Sequence, residues 1–215
     1  LTDLFTDRAV QFIRRNRTRP FYMSLHYNAP HWPWEGPGDR ATAMTNQRAA
    51  AAGGSQEIYG EMVKSMDSGI GKVLQALRDR GLERNTLVIF TSDNGGERYS
   101  NIWPFAFQKT FLWEGGIRVP AIARWPGIIP NRRTTSQVAI TMDWSATILK
   151  LAGIKAPKNF PLDGVDLMPL LTNKTNHIER PLYWRTFQRT KQNAIRMGDW
   201  KYLQDEKGEY LFDLK

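Results

Sequence analysis

The chain contains no cysteine among its 215 residues. Disulfides and thiolate zinc sites are therefore excluded. No apolar run approaches the roughly 18 residues that a membrane-spanning helix needs, so no membrane association is expected. No internal repeat is visible. Acidic residues are the scarcer charge: 30 Lys and Arg against 21 Asp and Glu give a net +9. That excess favours anionic partners such as nucleic acid, an acidic surface, anionic small molecules or glycans. The basic residues are scattered, apart from Arg14-Arg15-Asn16-Arg17-Thr18-Arg19, and no nucleic-acid module appears, so nucleic acid is not expected. A missing acidic partner segment would leave the same surplus. The first residues, LTDLFTDRAVQF, lack both Met and a signal-peptide pattern, and read like the interior of a longer protein. The Asn-x-Thr sequons at Asn16 and Asn173 say little about compartment.

The stretch from Asn85 to Pro126 carries most of the information. Leu87, Val88, Ile89 and Phe90, with Thr91, form an apolar run rich in β-branched and aromatic residues, which stops at Ser92-Asp93-Asn94-Gly95-Gly96. Such a run reads as a strand over 86–92 buried on both faces, as in parallel sheets. Ligand sites in those sheets lie just beyond the carboxyl ends of the strands. A carboxylate and an amide there offer oxygen ligands to a hard cation, and the glycines let the backbone turn sharply.

Elsewhere, Leu4, Phe5, Ala9, Phe12 and Ile13 predict an amphipathic helix over 3–16 capped by Thr2 or Asp3. Alternation of Phe21, Met23 and Leu25 with Tyr22, Ser24 and His26 predicts a strand, followed by a Pro- and Asn-rich loop through His31 and Trp34. Residues 35–54 read as an irregular excursion. Ser55 should cap the longest helix, over 56–80, with Gly81 ending it. A short strand is expected over 120–125, helices over 143–151 and 165–171, and four short strands after Pro181 with turns at Gly198-Asp199 and Lys207-Gly208. Helix and strand alternating predict an α/β layer covered by helices, and the last segment an antiparallel appendage.

In five blocks the chain resembles the sulfatases, the formylglycine-dependent branch of the alkaline-phosphatase-like superfamily. The blocks are YGEMVKSMDSGIGKVLQALRDRGLERNTLVIFTSDNGG; Lys109 with Glu114-Gly115-Gly116-Ile117-Arg118-Val119-Pro120; ARWPG; LDGVDLMPLL; and RMGDWKYL. The resemblance implies a partial alkaline-phosphatase-like sandwich, a mixed and largely parallel sheet with flanking helices, plus a small C-terminal antiparallel sheet. It implies that 1–175 is the C-terminal half of the catalytic domain and 176–215 the start of the small subdomain. It implies that Asp93 and Asn94 ligate Ca²⁺ (or Mg²⁺), that Lys109 contacts the sulfate, and that His31 stands beside the ester oxygen and protonates the leaving alcohol. The family's formylglycine nucleophile arises from a C/S-x-P-x-R motif that this chain lacks. The paired aspartates of the metal site are lacking too. The resemblance thus implies a fragment, inactive alone, of a periplasmic or secreted sulfuric-ester hydrolase acting on a sulfated small molecule or glycan.

Blander readings stand beside these. Asp and Asn favour turns, Lys109 reads equally as a solvated lysine, and His31 as a loop histidine. His26 is expected to pack or hydrogen-bond on its strand, and His177 to lie at the surface. Glu114 and Arg118 read as a charge pair supporting a tight turn, and Asp67 as structural. Trp32, Trp34 and Trp103 suit stacking on sugar rings or core packing equally. A phosphatase or phosphonate hydrolase of the same superfamily, and a non-catalytic polyanion-binding module, are the alternatives.

Overall fold

The computed structural model describes residues 1–39 and 53–215. Most of the excursion expected at 35–54 therefore lies outside the described residues. The chain divides into two compact units, Leu1–Thr86 and Leu87–Lys215.

The first unit is built on two packed helices, α1 (Thr2–Arg15) and α2 (Gln56–Asp79). Asp3 in the first turn of α1 and Arg14 and Arg15 in the last complement its dipole. No side chain caps α1; Thr2 and Asp3, expected as caps, lie inside the helix. Its buried stripe is Thr6, Ala9 and Ile13, whereas Leu4 and Phe12 of the expected apolar face are exposed. Thr6 is buried because its hydroxyl shares a 2.9 Å hydrogen bond with the Tyr27 hydroxyl. Gly69 of α2 makes room for this pair: a Cβ there would sit 2.4 Å from the Thr6 hydroxyl oxygen. Ser55 caps α2 by accepting from the Ile58 N–H at 3.1 Å. Beyond α2, Gly81 (φ +68) donates its N–H to Arg78 and Leu82 donates to Leu77, so glycine ends the helix as expected.

The strand expected over 20–27 forms no ladder among the described residues. Phe21, Met23, Leu25 and Tyr27 are half-buried while Tyr22, Ser24, His26 and Asn28 are exposed. Alternation reports a segment with one side covered; ladder hydrogen bonds need a neighbouring edge.

The second unit begins with β1 (Val88–Thr91), paired antiparallel with β2 (Ala121–Arg124). All four β1 residues are half-buried rather than buried on both faces. β2 is its one ladder partner among the described residues, so its packing is looser than the apolar run implies. Between the strands lie a long loop and a single helical turn, α3 (Glu114–Ile117). Two helices follow, α4 (Thr141–Leu151) and α5 (Met168–Leu171). The chain closes in an antiparallel meander of β3 (Leu182–Thr186), β4 (Gln192–Met197), β5 (Trp200–Asp205) and β6 (Gly208–Asp213), in that order. Gly198 takes φ +58 at the first central position of the β4–β5 turn, where glycine is favoured. The last turn lies one residue earlier than expected, between paired Asp205 and Gly208, because the Asp205 carboxylate accepts from the Lys207 and Gly208 N–H groups.

One face of this meander is the core of the unit. Ala194 and Leu203 pack with Leu112, and around them sit Trp113, Ile117, Trp184, Tyr210 and Phe212. The Trp113 ring lies 5.1 Å from both the Tyr210 and Phe212 rings, distances at which aromatic pairs add to simple burial. The C-terminal sheet therefore seats the segment that carries α3.

Candidate functional site

The Asp93-Asn94-Gly95-Gly96 turn follows β1 directly, and its glycines decide what can approach it. Gly95 donates its N–H to the Gly116 carbonyl at 2.8 Å. A Cβ on Gly95 would lie 2.1 Å from the Gly115 carbonyl oxygen, and one on Gly115 would lie 2.0 Å from the Phe107 carbonyl oxygen. Two glycine pairs thus let two stretches of backbone meet with no side chain between them. The same junction holds Lys109, whose N–H donates to the Gly96 carbonyl at 2.8 Å, while Gly115 donates to Ala106 at 2.9 Å. Three residues singled out from the sequence, Asp93, Asn94 and Lys109, therefore stand on two loops locked together by backbone hydrogen bonds.

Asp93 is exposed at the end of this turn. Its Oδ2 accepts from Asn94 Nδ2 at 2.5 Å and its Oδ1 from the Ser92 hydroxyl at 3.4 Å. With the amide nitrogen turned to the carboxylate, the Asn94 amide oxygen is the lone-pair donor left over. The Lys109 ammonium stands 3.8 Å from Glu97 Oε2, both side chains about a third exposed or less. Glu97 was missed in the sequence: nothing local distinguishes it from a solvated loop residue. Beside Lys109, Thr110 adopts φ +81 and Phe107 φ +60.

Trp103 projects from the same stretch and is 83% exposed, so it is not core. Trp34 is buried and is core. His31 and Trp32 belong to the first unit and form a pair of their own. His31 is exposed, its ring centroid is 5.0 Å from that of Trp32, and its Nδ1 is 2.6 Å from the Trp32 carbonyl oxygen. Only a protonated Nδ1 can make that bond, which leaves Nε2 as the ring nitrogen not engaged by it. His26 bonds the Ser24 hydroxyl through Nε2 at 2.7 Å, as expected of a structural residue.

Glu114 is the charged centre of the turn. Its Oε1 accepts from Lys201 Nζ at 2.8 Å, and its Oε2 lies 3.5 Å from Arg196 and 3.7 Å from Arg118. Arg196 and Lys201 are directly opposed on β4 and β5, an arrangement of like charges that is unfavourable by itself. Glu114 relieves it. Burial, the largest influence, pulls the Lys201 pKa below its ordinary value, with the Glu114 hydrogen bond and charge opposing. The expected Glu114–Arg118 pair is present, and the partners not expected from the sequence are Lys201 and Arg196.

No group of three or more His, Cys, Asp or Glu side chains gathers in one place among the described residues. Asp93 and Asn94 offer oxygens of the kind a hard divalent cation takes, two against the roughly six to eight of a Ca²⁺ shell. They fit one side of such a site.

The arrangement is an α/β fold of the kind seen in the alkaline phosphatase superfamily. The chain overlays a Vibrio parahaemolyticus member of that superfamily with TM-score 0.62 at 17% identity, over 96% of this chain and 45% of that one, a likeness of fold alone. The family model described as Sulfatase matches residues 1–154, and the one described as N-sulphoglucosamine sulphohydrolase, C-terminal, matches 103–215. The chain belongs to the sulfatase family. It is 34% identical to N-acetylgalactosamine-6-sulfatase of Mus musculus over 94% of this chain, and 38% identical to mouse steryl-sulfatase over 83%. It spans 38% and 29% of those relatives' lengths. Ps i-CgsB, solved in complex with k-i-k-neocarrahexaose, superposes with TM-score 0.87 at 32% identity, over 99% of this chain and 48% of that one. Among the described residues, no helix is long and apolar enough to cross a membrane.

Proposed function

We propose that this chain is part of a sulfuric-ester hydrolase that releases sulfate from a sulfated carbohydrate. The observation carrying this is the backbone lock that joins Asp93-Asn94 to the Lys109 loop through Gly95, Gly96, Gly115 and Gly116. The relatives' names, N-acetylgalactosamine-6-sulfatase and a protein in complex with k-i-k-neocarrahexaose, support a sulfated sugar. Asp93 and Asn94 hold one side of a divalent cation, Ca²⁺ or Mg²⁺. Bound there, the cation supplies positive charge opposite the sulfate oxygens. Lys109 contacts the same sulfate and exchanges its Glu97 partner for it. His31, with Nδ1–H bonded to the Trp32 carbonyl, carries its second proton on Nε2 when cationic and delivers it to the leaving alcohol. Trp103 and Trp32 offer ring faces to the sugar. The formylglycine belongs to a part of the protein outside this sequence, so the chain alone is inactive. We assign 1–175 to the catalytic domain, 176–215 to the small subdomain, and the whole protein to the periplasm or exterior.

Sulfate release from a sulfated oligosaccharide by the whole protein tests the proposal. Replacing Lys109→Ala should lower turnover at least about tenfold, equivalent to about 1.4 kcal/mol of transition-state stabilisation. Asp93→Ala should abolish the response of activity to added calcium. An unchanged rate in Lys109→Ala contradicts the role given to that lysine.

A further inference from the structure

Two polar side chains of the C-terminal sheet are almost wholly buried, and both reach the same residue of the Lys109 loop. Lys201 and Gln192 are each 1% exposed. Lys201 Nζ donates to the Leu112 carbonyl at 2.5 Å, and Gln192 Oε1 accepts from the Leu112 N–H at 2.8 Å. Both main-chain polar groups of one residue are therefore satisfied from 80 or more residues away. We infer that Lys201 and Gln192 are positioning residues of the proposed site, gripping the Leu112 backbone and so setting where Lys109 stands against the Asp93-Asn94 turn. The inference rests on the sulfatase reading for what the loop does, and on the geometry alone for the grip.

Burial of an ammonium is expensive, and an apolar side chain of similar volume usually serves a core as well or better. Lys201 sits on the inner face of the sheet beside Leu203 and opposite Arg196, where a methionine would pack without the charge. Its hydrogen bonds are directed at the loop, to the Leu112 carbonyl and the Glu114 carboxylate. Gln192 is likewise turned to the loop, and its amide nitrogen lies 3.4 Å from Asp205 Oδ2. The loop's own backbone bonds are mostly short turns, such as Phe105 to Ile102 and Phe111 to Gln108, closed by the longer Gly115 to Ala106 bond. It has one helical turn, and Phe107 and Thr110 have positive φ. It is also pinned at separate points: Phe105 beneath the Arg118 guanidinium at 4.6 Å, the Lys109 N–H on Gly96, both Leu112 backbone groups, and Glu114. Lys109 stands between the Gly96 contact and the Leu112 grip. Loss of the grip removes the hold nearest to Lys109 on its C-terminal side and leaves the Gly115–Ala106 and Gly95–Gly116 bonds farther along.

The test compares the whole protein with Lys201→Met and Gln192→Leu. Lys201→Met keeps the apolar stem and removes the shortest of the three Glu114 ion pairs, leaving Arg196 and Arg118 beside that carboxylate; Gln192→Leu touches no charge and serves if Lys201→Met does not fold. Circular dichroism and thermal melting establish that each variant is folded. Two readouts then decide: amide hydrogen exchange at Lys109 and Gly95, and kcat and KM for a sulfated oligosaccharide. We expect exchange at both amides to rise at least about tenfold while α1 amides are unchanged. We expect kcat to fall about tenfold with KM within about threefold, as for a group displaced from its place in the transition state. A folded variant with unchanged exchange, or with faster exchange and full kcat, overturns the inference. Failure of the whole protein to release sulfate from any ester defeats the sulfatase reading instead, and exchange at Lys109 and Gly95 still decides whether the grip exists.

Discussion

Thr110 is the residue next to Lys109 and the least comfortable in the loop. A β-branched side chain at φ +81 is a backbone outlier that costs of order 1–3 kcal/mol. Its hydroxyl is buried with no hydrogen-bond partner among the described residues, which adds a desolvation cost. Such strain persists only where the surroundings impose it, and here the Lys109 N–H is fixed on Gly96 immediately before it. Glycine accepts that φ freely. Thr110→Gly should therefore raise the stability of the whole protein by roughly 1 kcal/mol after the entropy of a new glycine is subtracted, seen as a higher denaturant midpoint. Turnover should fall at the same time, because the residue beside Lys109 gains freedom. A stability loss would mean that the Thr110 side chain makes contacts worth more than its strain. By contrast, the Glu97–Lys109 pair is long, at 3.8 Å, and partly exposed, and it contributes little to stability. Its importance lies in the proposed function, where the sulfate takes the place of Glu97 on Lys109.

Among the elements, α4 shows how a local signal can hide a long-range role. Asp143 looks like an ordinary acidic residue in a first helical turn, yet it is fully buried. Its carboxylate accepts from the Ile140 N–H at 2.8 Å, the Val165 N–H at 3.0 Å and Arg180 Nη2 at 2.5 and 2.6 Å. One side chain thus caps α4 and joins it to the LDGVDL stretch and to the approach to β3. Asp143→Ala would leave the Arg180 guanidinium, largely buried, without its counter-charge. Breaking a buried pair in this way costs about 3–5 kcal/mol, so the variant should melt far earlier or fail to accumulate folded. A loss below 1 kcal/mol would show that the pair is solvated in solution. The same distinction governs what was legible in the sequence. The α2 helix, its Ser55 cap and its Gly81 stop were readable because cap, stripe and stop are neighbours in the chain. The Asp93-Asn94-Gly95-Gly96 turn and the Lys109 block were readable as motifs, and their physical junction explains why glycine is needed in both. Gln192, Lys201 and Arg180 were not readable, since a polar residue on a strand or loop is expected in water unless a distant backbone claims it. Nor did the alternation over 20–27 reveal that no ladder forms there among the described residues, for burial pattern and strand pairing have separate causes.

At the scale of the whole molecule the charge is unbalanced, with net +9, yet a positive side chain is buried where water cannot screen it. Burial holds the Lys201 pKa below its ordinary 10.5 even though the Glu114 carboxylate opposes the shift. The sign of the pH effect follows from linkage. In the window between the lowered folded value and 10.5, the unfolded chain binds a proton at Lys201 that the folded chain does not. Stability then rises with pH across that window. Below the folded value both states are protonated, the penalty for burying the charge is present in full, and this contribution no longer changes. Exposed lysines contribute nothing of the kind, and the general fall in net charge at alkaline pH is common to wild type and to Lys201→Met, so it cancels when the two are subtracted. Denaturant unfolding of the whole protein and of Lys201→Met, at steps from neutral pH to just above 10.5, should show the wild-type advantage widening as pH rises and levelling off past the top of the window. A gap that narrows instead would mean that the Glu114 bond, not desolvation, controls this lysine. The grip on Leu112 would then depend on charge and would weaken as the ammonium titrates.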